Sequence, residues 1–163
     1  MTTRLLLRAY QRARAGHPDQ GFREDLAFLQ GKDLDLSVRL GALLAFDALM
    51  VTAAINPISA SPGAPLSLDA ASQPVLVGVV SIGIVLLTVS ALTCVRAMMF
   101  GEEFSAAGIE DDPEAIVQRM FASYCASVDF QVRMIRLASW LAMAGGSITV
   151  LACGWIMAEK IVG

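Results

Sequence analysis

The stretch Val75–Val95, VLVGVVSIGIVLLTVSALTCV, decides the fold of this chain. It holds 21 consecutive residues without a charge, and at about 1.5 Å per residue a helix of that length spans a hydrocarbon core of about 30 Å. A buried helix in a soluble protein normally keeps one polar face, which is missing here. The stretch therefore predicts a transmembrane helix over residues 75–95.

Two further apolar stretches lie on either side of this helix. Residues 40–58 carry a single charge, Asp47, and residues 137–158 form a run of 22 residues without a charge. The 163-residue chain is 56% hydrophobic and only 17% charged, against roughly 25% charged in an average soluble domain. We therefore predict an all-α membrane protein with three transmembrane helices.

Helical periodicity also runs through the polar segments before the first and third spans. One apolar stripe leads into the first span and consists of Phe22, Leu26, Leu29, Leu36, Leu40 and Leu43. The second leads into the third span and consists of Val117, Phe121, Tyr124, Val128, Val132 and Ile135. Asp112-Pro113-Glu114 is typical of a helix start. We expect a cytoplasmic helix over residues 19–39, and an acidic loop with an amphipathic helix over residues 96–136.

The distribution of Lys and Arg predicts the orientation in the membrane. Seven precede the first span, none lies in the loop 59–74, four lie in residues 96–136, and only Lys160 follows the third span. Positively charged loops stay in the cytoplasm. We therefore expect a multi-pass protein of a bacterial inner membrane with a cytoplasmic N-terminus, an external loop 59–74 and an external C-terminus.

The first 18 residues form a basic amphipathic segment. Arg4, Arg8 and Arg12 recur every four residues, so a helix would place them on one face. Such a face is suited to contact anionic lipid headgroups, although an Arg-rich segment without acids is also typical of an organellar transit peptide. We expect the segment to be retained and to face lipid. It does not resemble a secretory signal, because no apolar core region follows it.

Asp47 lies about 12 Å inside the first span, counted from Arg39. A carboxylate at that depth costs at least about 2.5–3.5 kcal/mol unless it is protonated, paired or hydrated. One hypothesis makes Asp47 a proton or ion site. Because no span contains a Lys, Arg or His to accompany it, we favour a structural role. In that role Asp47 is protonated or hydrogen-bonded to Ser81, Thr88 or Ser147 of a neighbouring helix.

A row of small residues marks the third span. Ala138, Ala142 and Gly146 stand four residues apart, a spacing that lets helix backbones approach closely in lipid. The row predicts helix packing at this face, either within one chain or between copies of it.

The sequence carries no motif for catalysis, metal binding or a cofactor. It lacks the glycine-rich phosphate loops, the zinc-protease motif and the nucleophile elbow. The acids of residues 102–114 do not have calcium-loop spacing, and His17 has no partner at ligand spacing. Cys94, Cys125 and Cys153 form no metal motif and are expected to pack as small apolar residues. We expect a non-enzymatic protein with no cofactor and no nucleic-acid partner.

Two stretches resemble the transmembrane effectors of bacterial Pycsar anti-phage systems. Asp35-Leu-Ser-Val-Arg39-Leu-Gly-Ala-Leu-Leu looks like the acid-then-basic pattern at that family's first span, and Val128–Leu141 is similar to its transition into the last span. With the order of spans and helices, the resemblance covers residues 22–158. It implies a non-enzymatic antiviral defence protein that assembles in the inner membrane and impairs it on a cyclic-nucleotide signal. No nucleotide-binding residues can be carried over.

Two classes of function follow from these observations. In the first, the chain is a self-assembling effector that perturbs the membrane when triggered through its cytoplasmic helices, and the resemblance favours this class. In the second, it is an accessory or assembly subunit of a larger membrane complex. A third possibility is an ion- or proton-conducting component that uses Asp47. The expected partners are membrane lipids together with other copies of the chain or other subunits.

Overall fold

A computed structural model describes residues 21–60, 67–68, 73–99 and 113–162. The secondary structure of these residues consists of three α-helices: α1 (Gly21–Ser59), α2 (Pro74–Met99) and α3 (Pro113–Val162). The basic segment with Arg4, Arg8 and Arg12 lies outside the described residues, as do the acids Glu102, Glu103, Glu110, Asp111 and Asp112.

Each helix is long and apolar enough to cross a membrane. The candidate spans are Glu24–Ser59, Pro74–Met99 and Phe121–Glu159. The prediction of an all-helical protein with three membrane-length helices is therefore confirmed. With 39 and 50 residues, α1 and α3 are about 58 and 75 Å long, which exceeds the thickness of a hydrocarbon core.

Both long helices are continuous where the sequence changes from polar to apolar. α3 begins at Pro113, the position that the Asp-Pro-Glu sequence predicts, and it passes through Gly145-Gly146 without a break. α1 includes Pro57 in its last turn, where the proline removes the hydrogen bond from its own nitrogen to the carbonyl oxygen of Ala53.

The three helices pack around three successive apolar clusters. At one end, here called the loop end, Ala54, Val80, Ala152 and Ile156 meet Leu68 of the linker. In the middle, residues of all three helices form a second cluster of Leu40, Cys94, Ala97 and Ala138. At the opposite end, called the charged end, α1 and α3 pack together through Leu29 and Cys125, with Phe28, Phe121 and Tyr124 around them.

A crossing of two glycines brings α2 and α3 together. A Cβ atom added to Gly145 would lie 2.9 Å from Leu87 Cγ and 3.0 Å from the carbonyl oxygen of Gly83. One added to Gly83 would lie 2.9 Å from Thr149 Oγ1. Thr149 in turn donates a hydrogen bond to the carbonyl oxygen of Gly145 at 2.9 Å. Only glycine permits this approach, so the α2–α3 contact is close-packed and its polar atoms are hydrogen-bonded.

The loop end is held by a few specific polar contacts. Glu159 of α3 accepts hydrogen bonds from Gln73 Nε2 and from Trp155 Nε1, each at 2.9 Å. The Leu68 amide donates to the Pro57 carbonyl at 2.8 Å, and the Leu68 side chain is buried. These contacts join the end of α1, the linker and the start of α2 to the end of α3.

Candidate functional site: a buried acid and a groove between the first and third helices

Asp47 lies in the interior of the bundle. Its side chain is 0% exposed, and it follows the apolar residues Leu43, Leu44 and Phe46 along α1. Neither carboxyl oxygen has a hydrogen-bond partner among the described residues. A buried carboxyl group without partners carries the full cost of its desolvation. Asp47 is therefore the outstanding polar feature of the membrane-spanning region.

Ser90 of α2 is the polar group that lies beside Asp47. Its hydroxyl donates to the carbonyl oxygen of Ala138 on α3 at 2.9 Å. A hydroxyl has one proton, so while it bonds Ala138 it cannot also donate to Asp47. Its oxygen keeps lone pairs that can accept a hydrogen bond from the O–H of a neutral carboxylic acid. The arrangement can therefore hold Asp47 in its protonated form more readily than as a carboxylate.

Asp47 does not face the partners that the sequence suggested. Ser81 and Thr88 are exposed and donate to carbonyl oxygens of their own helix, each at 2.8 Å. Ser147 is also exposed. The expectation of a hydrogen bond from one of these three to Asp47 is wrong, because they lie outside the buried faces of α2 and α3. The buried face of α2 is the stripe Val80, Gly83, Leu87, Ser90, Cys94 and Ala97.

The spacing of this stripe is the signal that identifies Ser90. Its members recur at intervals of three and four residues, and Ser90 is its only hydroxyl. Assigning the buried face of α2 from the sequence would therefore have selected Ser90 over Ser81 and Thr88. The long apolar run hides this face, because every side of the helix is hydrophobic.

The row of small residues on α3 packs within the chain. Ala138 and Ala142 are 0% and 1% exposed, and Gly146 is buried against α1, where an added Cβ would lie 3.3 Å from Phe46 Cζ. Of the two arrangements left open by the sequence, the structure places the row in intrachain packing. The sequence singled out Gly146 but not Gly145, which makes the closer approach through Gly83.

A groove of about 310 Å³ lies between α1 and α3 at the charged end. Its floor is apolar and consists of Phe28, Leu36, Val128, Val132 and Ile135. Its remaining lining is charged and consists of Lys32, Asp35, Arg39, Asp129 and Arg136. Asp35 and Arg39 form an ion pair at 3.0 Å on the α1 side. The groove between the two helices therefore combines an apolar floor with charged side chains.

The described residues offer no obvious metal or redox centre. They contain no group of three His, Cys, Asp or Glu side chains that could hold a metal ion. Cys94 and Cys125 are buried in apolar clusters, Cys153 is partly buried, and none of the three is in a disulfide. The chemistry that this structure presents is that of a buried acid and a basic groove.

Comparison of the chain with protein-family models, with curated proteins and with solved structures finds no match.

Proposed function

We propose that this chain is a non-enzymatic integral membrane protein that self-assembles and perturbs the bilayer when triggered through its charged end. Asp47 is the observation that carries the proposal, because it is a carboxyl group in the interior of the helical bundle with no hydrogen-bond partner in the part of the chain that the structure describes. Such a group is expensive inside a membrane and marks functional sites there.

The energetic argument concerns the difference between a closed and an opened bundle. Burial of Asp47 as a carboxylate costs about 2.5–3.5 kcal/mol at the centre of a span, and burial as a neutral acid costs the free energy of protonating a group that is ionised in water at neutral pH. Moving α1 away from α2 and α3 admits water to Asp47 and removes that cost. The closed bundle is therefore less stable than its packing alone would make it, and a modest force suffices to open it. An opened bundle with a hydrated acid in its interior disturbs the bilayer around it.

Two features support α1 as the helix that moves. The α2–α3 contact is sealed by Gly83 and Gly145, whereas α1 meets Gly146 through the ring of Phe46, with the tip of Met50 beside it. α1 and α3 also continue together to the charged end, where a trigger can act on both. In the proposed orientation this end is cytoplasmic, since residues before the first span and residues 96–136 hold 11 of the 12 Lys and Arg.

Self-assembly is supported by an apolar surface on α1 beyond its span. Leu34 and Val38 are 68% and 64% exposed, although they precede the boundary residue Arg39. In water, neighbouring exposed apolar side chains on one face favour association. The surface continues into the span through Phe46 and Leu49, which are also exposed. A second copy of the chain would cover it.

The same surface favours the alternative function, an accessory or assembly subunit of a larger membrane complex. In that case a different protein covers Leu34 and Val38, and the bundle has no need to open. The two functions differ in the composition of the native assembly and in membrane damage.

The deciding experiment measures the mass and composition of the species extracted gently from native membranes. The effector function predicts several copies of this chain and no other subunit, and it predicts dye release from liposomes that contain the purified chain. In Leu34→Gln/Val38→Gln both the assembly and the dye release should be lost, while Ser37→Gln, at an exposed residue of the same helix, should retain them. A fixed-ratio complex with other proteins would contradict the effector function and establish the alternative.

A further inference from the structure

The groove between α1 and α3 lies where both helices pass from charged to apolar sequence. Arg39 is the last charged residue of α1 before Asp47, and Arg136 is the last charged residue of α3 before 22 uncharged residues. Both line the groove. The end of the groove at Arg39 and Arg136 therefore lies at the level where a bilayer changes from headgroups to hydrocarbon.

We propose that this groove binds the phosphate-bearing headgroup of one anionic phospholipid. Lys32 and Arg136 contact the phosphate, and the acyl chains continue into the bilayer past Arg136. The next residue, Leu137, is 51% exposed and belongs to the apolar surface of the bundle. The proposed lipid site does not depend on whether the bundle opens.

Charge favours an anion in the groove. Its lining holds three basic side chains and two acidic ones, an excess of one positive charge. The ion pair of Asp35 with Arg39 leaves two basic groups, Lys32 and Arg136, and one acid, Asp129, beyond that pair. Basic pockets between helices at the cytoplasmic face of a membrane are typical binding sites for anionic headgroups.

Size and lining favour a headgroup over a small free anion. A volume of about 310 Å³ stands at the lower end of ligand pockets, which range over about 300–1,000 Å³. It accommodates a phosphate with its glycerol, and the apolar floor at Leu36 and Ile135 suits the glycerol and the first methylenes. A free phosphate ion would gain nothing from that floor.

The test is native mass spectrometry of the full chain released from nanodiscs of phosphatidylglycerol or phosphatidylcholine. We expect one retained phosphatidylglycerol per chain and no retained phosphatidylcholine. Lys32→Gln/Arg136→Gln should lower phosphatidylglycerol retention about 25-fold, or about fivefold per removed charge. The matched control is Arg119→Gln/Arg133→Gln, which removes two exposed charges of α3 that do not line the groove.

Each further outcome decides the proposal. An equal loss in both double variants would overturn it in favour of general attraction between charges and the membrane. Displacement of the lipid by millimolar inorganic phosphate would overturn it in favour of a free-anion site. Thermal unfolding without added lipid shows whether the variants are folded, and the conservative Lys32→Arg/Arg136→Lys should restore retention if an unfolded variant obscures the first result.

Discussion

The contact between α2 and α3 and the contact of α1 with that pair differ in how their polar atoms are arranged. At the first, Gly83 and Gly145 let the backbones meet, and the Thr149 hydroxyl is hydrogen-bonded. At the second, Asp47 is buried without a hydrogen-bond partner among the described residues. The two helix contacts of this bundle therefore differ. The α2–α3 contact is close-packed, whereas the contact of α1 with that pair carries the cost of burying Asp47, which moving α1 away removes.

The largest expected effect comes from removing the buried acid. Asp47→Leu should stabilise the bundle by about 2.5–3.5 kcal/mol, less the cost of fitting a larger side chain. The midpoint of thermal unfolding in mild detergent should rise, and dye release from liposomes should fall, because moving α1 away from α2 and α3 no longer removes the cost of a buried carboxyl group.

Asp35→Asn is the control for this substitution. It removes an exposed acid of the same helix, whose pair with Arg39 contributes only a few tenths of a kcal/mol. An unchanged or lower unfolding midpoint in Asp47→Leu would mean that the acid contributes to stability in the resting bundle. Loss of an ion current in Asp47→Asn with the assembly intact would point instead to a conducting role.

The next largest effect comes from disturbing the glycine crossing. In Gly145→Ala the new Cβ would lie 2.9 Å from Leu87 Cγ and 3.0 Å from a backbone oxygen, so the helices must move apart. We expect a loss of about 1–3 kcal/mol, measured as a lower unfolding midpoint. Gly154 has nothing within 4 Å of its Cβ position, so Gly154→Ala should stabilise the same helix by up to about 1 kcal/mol. Equal effects of both substitutions would show that no close crossing exists.

A smaller effect is expected at the loop end. Glu159→Ala removes the acceptor for Gln73 and Trp155, and exposed hydrogen bonds of this kind contribute about 0.5–1.5 kcal/mol each. Hydrogen exchange should become faster in the first turns of α2, while the glycine crossing keeps its protection. Unchanged exchange near Gln73 would contradict a role of Glu159 in holding the two helices together.

Most of the fold could be predicted from the sequence because its determinants are local. Uncharged runs of membrane length indicate the spans, and Asp112-Pro113-Glu114 indicates where α3 begins. Asp47 was identifiable because a charge in an apolar run is conspicuous by itself. These features need no knowledge of which helix faces which.

The parts of the site that could not be predicted depend on rotation about the helix axis. In α2 every face is apolar, so no amphipathic pattern distinguishes Ser90 from Ser81 or Thr88. The role of Gly145 follows only from the position of Gly83 on another helix. The groove was hidden for a related reason, since the two apolar stripes do not show how the charged residues beside them are arranged around a groove.

Pro57 has a mechanical consequence for α1. A proline has no N–H to bond the carbonyl of Ala53, and its own carbonyl holds the Leu68 amide, so the last turn of α1 is both softened and anchored. When α1 tilts about this point, each residue moves in proportion to its distance from Pro57. Asp47 lies ten residues from Pro57 and Glu24 lies 33 residues from it, about 15 and 50 Å along the helix. A shift of about 3 Å at the charged end therefore moves Asp47 by about 1 Å, so a distant contact can adjust the buried acid in small steps.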